Sequence, residues 1–519
     1  MLRLSFGGSL ILAEQSTWGR HCREVRLDGP LTPAAIAAVA RGARLTLSEG
    51  AAGRIRHARL IVEALSVQGI RGYGINTGVG ALCDVLIDRP RQQALSRNIL
   101  FSHAAGLGEA LGRVETRAVM AAQIAGFAHG ASGVRLDVVD ALIDLLRADI
   151  LPVIPSRGSV GYLTHAAAIG LVLIGAGEAM VGAERISGAQ AMARIGRTPL
   201  VLEAKEGLSL VNGTPCATGL ASVALDRLQR LLDWADAAAA LTYENLGAQA
   251  GTFDAVTLAL RKSDGLQRVG QAMRHWLADS AMLAGRLGSR TQDPLSLRAV
   301  PHVHGAARDA FVAAEAVVIR ELQSVTDNPA VGGTPEAPVV RSEAHAVATG
   351  LALALDALAP AAAELAAISE RRTDRLVNPL VSGLPAFLAA EGGVFSGYMI
   401  AQYTAAALVA ENRRLSLPAS LDGGITSALQ EDMLPHSTPA ALKLLSILDN
   451  LRDVLAIELL TAAQAYDCQP GVALAPATAA LRGAIRAMVP TYADDRPMSG
   501  DIVRLRDLLE RSPYEVAGG

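Results

Sequence analysis

Residues Leu220–Leu246 read LASVALDRLQRLLDWADAAAALTYENL. Apolar side chains recur there at helical spacing, and a helix of that length crosses a domain at about 1.5 Å rise per residue. The same periodicity marks Phe311–Leu322, Ala344–Arg371, Tyr398–Arg413 and Pro439–Tyr466. Such a set packs most simply as a bundle with polar residues projecting inward at chosen levels. Of 519 residues, 51% are hydrophobic but only 3% aromatic, so the core must be built from small aliphatic side chains, which suits closely packed helices. The expected fold is mainly α: a long central helical bundle with a smaller mixed N-terminal region. We divide the chain into an N-terminal region, 1–213, and a long-helix bundle with the C-terminal region, 214–519.

Within the first region, Thr32 and Pro33 read as N-cap and first turn of a helix over Ala34–Arg44. A second helix is expected over Gly50–Gln68. The run Gly72–Gly80, rich in glycine, then suits a loop whose backbone must approach something closely. The apolar run Ala166–Gly177 is too short for a bilayer and reads as a buried helix. Leu4–Ala13 is read as an N-terminal strand, since no small-residue cleavage site follows it. Cys22, Cys83, Cys216 and Cys468 show no metal-finger spacing and are expected as reduced thiols. A net charge of −3 makes no electrostatic case for nucleic acid or an anionic membrane, and the expected location is cytoplasmic. Gly332–Pro335 forms a Gly/Pro-rich turn.

Several motifs occur in a fixed order: Tyr73–Gly78 (YGINTG), Asn98–Gly106 (NILFSHAAG), Glu206–Thr214 (EGLSLVNGT), Gln292–Arg298 (QDPLSLR), Ser324–Pro329 (SVTDNP), Ser382–Leu388 (SGLPAFL) and Gln430–Asp432 (QED). In these the chain resembles the aromatic amino acid ammonia-lyases of the histidine ammonia-lyase type, from about Leu31 to Gln469. The resemblance implies a homotetramer with active sites shared between subunits. It also implies elimination of the α-amino group of histidine or a related aromatic amino acid, giving an α,β-unsaturated, urocanate-like acid. Two alternatives stand beside it: a lyase releasing trimethylamine from a histidine betaine, as ergothionase does, and a non-catalytic homologue.

That elimination poses two problems, a poor leaving group and a barely acidic β-hydrogen. By its match to the family's loop tyrosine, Tyr73 is the candidate base; otherwise it caps a glycine loop. Arg298 is the candidate carboxylate clamp, because guanidinium grips a carboxylate with two parallel bonds; otherwise it is an interhelical ion pair. Asn212 and Gln292 match polar catalytic positions. His103 and Glu431 are expected to set substrate choice, Glu431 by accepting a ring N–H. The other histidines, such as His302, His304 and His345, lack the spacing of a metal site, and no metal is expected.

The family pattern fails in places. Leu295 replaces an expected tyrosine, Ala344 replaces an aromatic residue, and Met433–His436 departs after Asp432. Most consequentially, Gly158-Ser159-Val160-Gly161 runs directly into Tyr162, where the family has Ala-Ser-Gly, the tripeptide that becomes 4-methylideneimidazol-5-one (MIO), followed by an aspartate. The resemblance implies MIO, flanked by Gly161 and Tyr162, if an Ala-Ser-Gly unit lies between them, and otherwise no prosthetic group. In the first case Gly161 and Tyr162 should be separated by several ångströms across a gap facing Tyr73 and Asn212.

Overall fold

The computed structural model describes residues 23–421, 423–469 and 471–518. Leu4–Ala13 and Cys22 lie outside the described residues. Two compact units are distinguished. The first gathers the chain up to Asp226 with Glu315–Asp356 and Pro418–Leu442; the second gathers Arg227–Ala314, Ala357–Leu417 and the chain from Lys443.

The expected helices form, with edges set by local chemistry. Thr32 Oγ1 accepts from Ala35 N and Pro33 opens the first helix, Pro33–Arg41. The helix was expected to reach Arg44 but stops three residues earlier. Gly42 adopts φ 121°, closed to most side chains, and Arg44–Leu47 instead pairs in parallel with Glu24–Leu27. Glu49–Gln68 follows, capped by Ser48. Ile150–Pro152, Glu178–Val181 and Glu184–Ser187 make a small antiparallel sheet, and Gly332–Pro335 lies at the turn joining strands Ala330–Gly333 and Pro338–Arg341. The apolar run after Tyr162 forms Thr164–Leu173 and ends before Gly175, whose φ is 78°.

The long helices are Pro215–Asn245, Val300–Leu322, Thr349–Val377, Met399–Leu415 and Ser437–Asp467. Val300–Leu322 begins eleven residues before the predicted Phe311, because Pro301 falls in its first turn, where no backbone donor is required. Conversely, Thr349–Val377 begins later than the predicted Ala344. Asn328 Oδ1 accepts from Glu343 N at 2.6 Å and holds that stretch as a loop.

Small side chains let these helices pack closely: Ala235, Ala237, Ala238, Ala239 and Ala240 are all fully buried. Within the second unit, buried polar residues occur at set levels. Glu458 accepts from Thr242 Oγ1 at 2.8 Å, Ser369 Oγ at 2.6 Å, and Arg372 Nε and Nη2 at 2.6 and 2.8 Å. Asp236 accepts from Arg308 Nη2 at 2.6 Å and faces His304 Nδ1 at 2.7 Å. Removing one partner from such a pair leaves an uncompensated buried charge, so these contacts are stringent about register. Among the described residues, two stretches, Glu206–Asn245 and Thr349–Val377, are long and apolar enough to cross a membrane. Their most apolar windows are 94% and 56% buried within the fold, as core helices are.

Candidate active site

The first unit contains a cavity of about 990 Å³ lined by Tyr73, His103, Tyr162, Asn212, Asn328 and Glu431, among others. Its size falls at the upper end for small-molecule sites. Tyr73 is carried by the glycine loop, and its phenol oxygen accepts from Gly80 N at 2.8 Å. Gly74 takes φ 62°, and a Cβ there would lie 2.3 Å from Leu208 Cδ2, so this turn requires glycine. Burial raises the Tyr73 hydroxyl above its ordinary value, and the negative charge of Glu431 adds to this, against the lowering effect of the Gly80 N–H.

Across the cavity, Tyr162 Oη donates to Glu431 Oε2 at 3.2 Å, and Thr426 Oγ1 reaches the same oxygen at 3.4 Å. Burial, then Glu431, raise the Tyr162 hydroxyl far above the usual range, so it remains a donor. Ser427 Oγ accepts from Ala81 N at 3.0 Å and ties the Glu431 turn to the Tyr73 loop. That turn is strained: Ser427, Ala428 and Leu429 have φ of 51°, 50° and 73°. His103 ends the helix Gln92–His103, with Nδ1 2.8 Å from Ile99 O. The carbonyl can only accept, so Nδ1 carries the proton and Nε2 is bare in the neutral ring. Burial lowers the His103 pKa, opposed by the Ile99 bond and by Glu431.

Asn212 follows the short helix Glu206–Val211, and its Nδ2 donates to Asn328 O at 2.5 Å. Behind them, fully buried Lys205 Nζ lies 2.8 Å from both Asp327 Oδ2 and Ser209 Oγ.

Gln292 and Arg298 are not brought to this cavity. They lie in the second unit and pair with each other: with its amide oxygen turned toward the guanidinium, Gln292 accepts from Arg298 Nη2 at 2.7 Å. The residues that sequence reading missed are Tyr162 as the partner of Glu431, and Cys83, Asn328 and Ser427, which also line the cavity. Asn328 could have been found, since it lies in the SVTDNP motif.

At the junction Gly161 is followed directly by Tyr162. Ser159 Oγ accepts from Gly161 N at 3.1 Å and donates to Tyr162 O at 3.0 Å. Ser159 lies between Gly158 and Val160, so it cannot supply Ala-Ser-Gly. The chain's own Ala-Ser-Gly, Ala131–Gly133, does not line this cavity, and the Ala131 carbonyl accepts from Val331 N at 2.9 Å. The residues of this loop therefore do not fit MIO.

The sequence from residue 31 to 487 matches the family described as aromatic amino acid lyase. The chain belongs to that family. It is an enzyme class of carbon–nitrogen lyases. A histidine ammonia-lyase of Symbiobacterium thermophilum is 45% identical over 498 residues, covering 95% of this chain and 98% of that protein. The crystal structure of histidine ammonia-lyase from Trypanosoma cruzi superposes with a TM-score of 0.88 at 33% identity, covering 95% of each chain. Ergothionase from Treponema denticola, described as an ergothioneine-degrading enzyme, superposes at 0.87 with 27% identity, covering 94% of this chain and 98% of that one.

Proposed function

We propose that this lyase eliminates the α-amino group of histidine to give a urocanate-like acid and ammonia. The observation that carries the reading is Glu431. Its Oε2 is engaged by Tyr162 and Thr426, which fixes the carboxylate and leaves Oε1 to accept an imidazole N–H from the substrate. The named relatives support the same substrate.

In this reading Tyr73 takes the β-proton at its phenolate oxygen. The C–H electron pair becomes the new double bond, and the α C–N pair departs with nitrogen as ammonia. The arriving α-ammonium offsets what burial and Glu431 do to Tyr73, lowering its hydroxyl toward the working range. His103, with Nε2 bare, is a second acceptor for the ring. Asn212 orients the amine. Arg298 and Gln292 reach the site from a second copy, Arg298 of the partner subunit gripping the substrate carboxylate. Exposed Leu82, Leu86 and Leu429 are apolar side chains that a cytoplasmic homotetramer with shared sites would cover.

MIO would supply an electrophile for the amine, and we assign it only to a protein with Ala-Ser-Gly between Gly161 and Tyr162. The junction favours a second reading, release of trimethylamine from a histidine betaine, because a quaternary nitrogen leaves without electrophilic capture. One experiment separates them: histidine and its betaine are each supplied to purified protein, with ammonia, trimethylamine and urocanate measured, and intact mass taken on the same sample. Urocanate with ammonia from histidine supports the first reading. Product from the betaine alone replaces it.

A further inference from the structure

Asn212 lines two spaces. One is the cavity holding Tyr73 and Glu431; the other is a small cavity of about 30 Å³ behind it, within the same unit. On this scale one water needs about 10–15 Å³, so the space admits one or two species of that size and excludes anything as large as a trimethylammonium.

Its hydrogen-bonding character is one-sided. Several donors on the wall are already committed elsewhere. Asn212 Nδ2 donates to Asn328 O, Gln123 Nε2 to Leu210 O at 2.7 Å, Thr214 Oγ1 to Glu321 Oε1 at 2.7 Å, and Ser209 Oγ to Ser132 O at 3.0 Å. Acceptors are left over. Gln123 Oε1 and Asp327 Oδ1, on residues 2% and 6% exposed, have no hydrogen-bond partner, and only one Glu321 oxygen has its bond from Thr214. A buried acceptor without a donor costs about 1–3 kcal/mol. The species that repairs such an imbalance is small and donates in every direction.

We propose that this cavity is a binding site for ammonium, taking up the product released beside Asn212. The assignment rests on the ammonia-releasing reading above. Water brings two donors and two acceptors, whereas ammonium brings four donors and no acceptor, which matches the wall. Ammonium also brings a positive charge to Glu321, whose carboxyl burial raises and a neighbouring cation restores to its ionised form. Lys205 already neutralises Asp327, so Glu321 is the wall's available charge.

The test measures binding without substrate, so it stands or falls apart from the identity of the amino acid. The Tm of the intact protein is followed with ammonium, potassium and sodium chloride at equal ionic strength. A ligand of the native state raises Tm with concentration. Ammonium is expected to raise it above both other salts, and Glu321→Gln, which keeps the Thr214 bond, to lose that rise. In turnover, Glu321→Gln is expected to weaken inhibition by ammonium at least tenfold while inhibition by urocanate is unchanged. Equal curves in the three salts, or an equal rise with potassium, would overturn the assignment to ammonium. So would undiminished ammonium inhibition in a folded Glu321→Gln.

Discussion

Tyr162 Oη donates to Glu431 Oε2 at 3.2 Å across 269 residues of sequence, joining the residue after Gly161 to the carboxylate expected to meet the substrate ring. A hydrogen bond to a charged group contributes about 1.5–3 kcal/mol. Tyr162→Phe should therefore raise the KM for histidine about tenfold or more, with the fold unchanged by circular dichroism. An unaltered KM would mean that Glu431 is held without the phenol.

Tyr73→Phe removes one oxygen from a loop whose glycines hold its shape. Loss of a general base lowers kcat by about 10²–10⁴-fold. Because burial and Glu431 raise the Tyr73 hydroxyl above its ordinary value, the protonated form dominates at neutral pH in the free enzyme. The parent's kcat/KM should keep rising with pH into the alkaline range as the phenolate forms, and the variant should lose this rise. A variant retaining most of the parental kcat would remove Tyr73 from the role of base.

Arg298→Lys replaces a planar fork with a point charge and should lower kcat/KM about tenfold or more. Mixing the impaired Arg298→Lys with Tyr73→Phe and allowing subunits to exchange should raise activity above the sum of the two separate variants if the two residues act from different copies. No recovery under confirmed exchange would contradict the shared site.

Much of this was legible because it is local. Thr32 and Pro33 announce a helix start through contacts within three residues, and the glycines of Gly72–Gly80 announce a loop that no other residue type could form. The long helices were legible from periodicity, their edges less so. Gly42 and the Asn328–Glu343 contact shift them by interactions a periodic pattern does not carry. The site was legible only in part. Tyr73, His103, Asn212 and Glu431 converge, while Tyr162 was read as a departure flanking the MIO position and not as a partner of Glu431, since nothing near it in sequence points to that residue. Gln292 and Arg298 lie in the second unit and bond to each other, so a motif match could name them but not bring them to the cavity.

Lys205→Met should destabilise the protein by about 3–5 kcal/mol, because it leaves the Asp327 carboxylate buried and unpaired. Denaturant unfolding measures this. Lys205→Met with Asp327→Asn together should recover part of the loss. A single variant within about 0.5 kcal/mol of the parent would show that the pair is dispensable.

The central claim is that Glu431 selects an imidazole, and the most direct measurement is the ratio of kcat/KM for histidine to that for phenylalanine, in the parent and in Glu431→Gln. The account predicts measurable histidine deamination in the parent and a ratio that falls about tenfold or more in the variant, since an amide holds a ring N–H less tightly than a carboxylate. An unchanged ratio, or a parent that does not deaminate histidine, would contradict it.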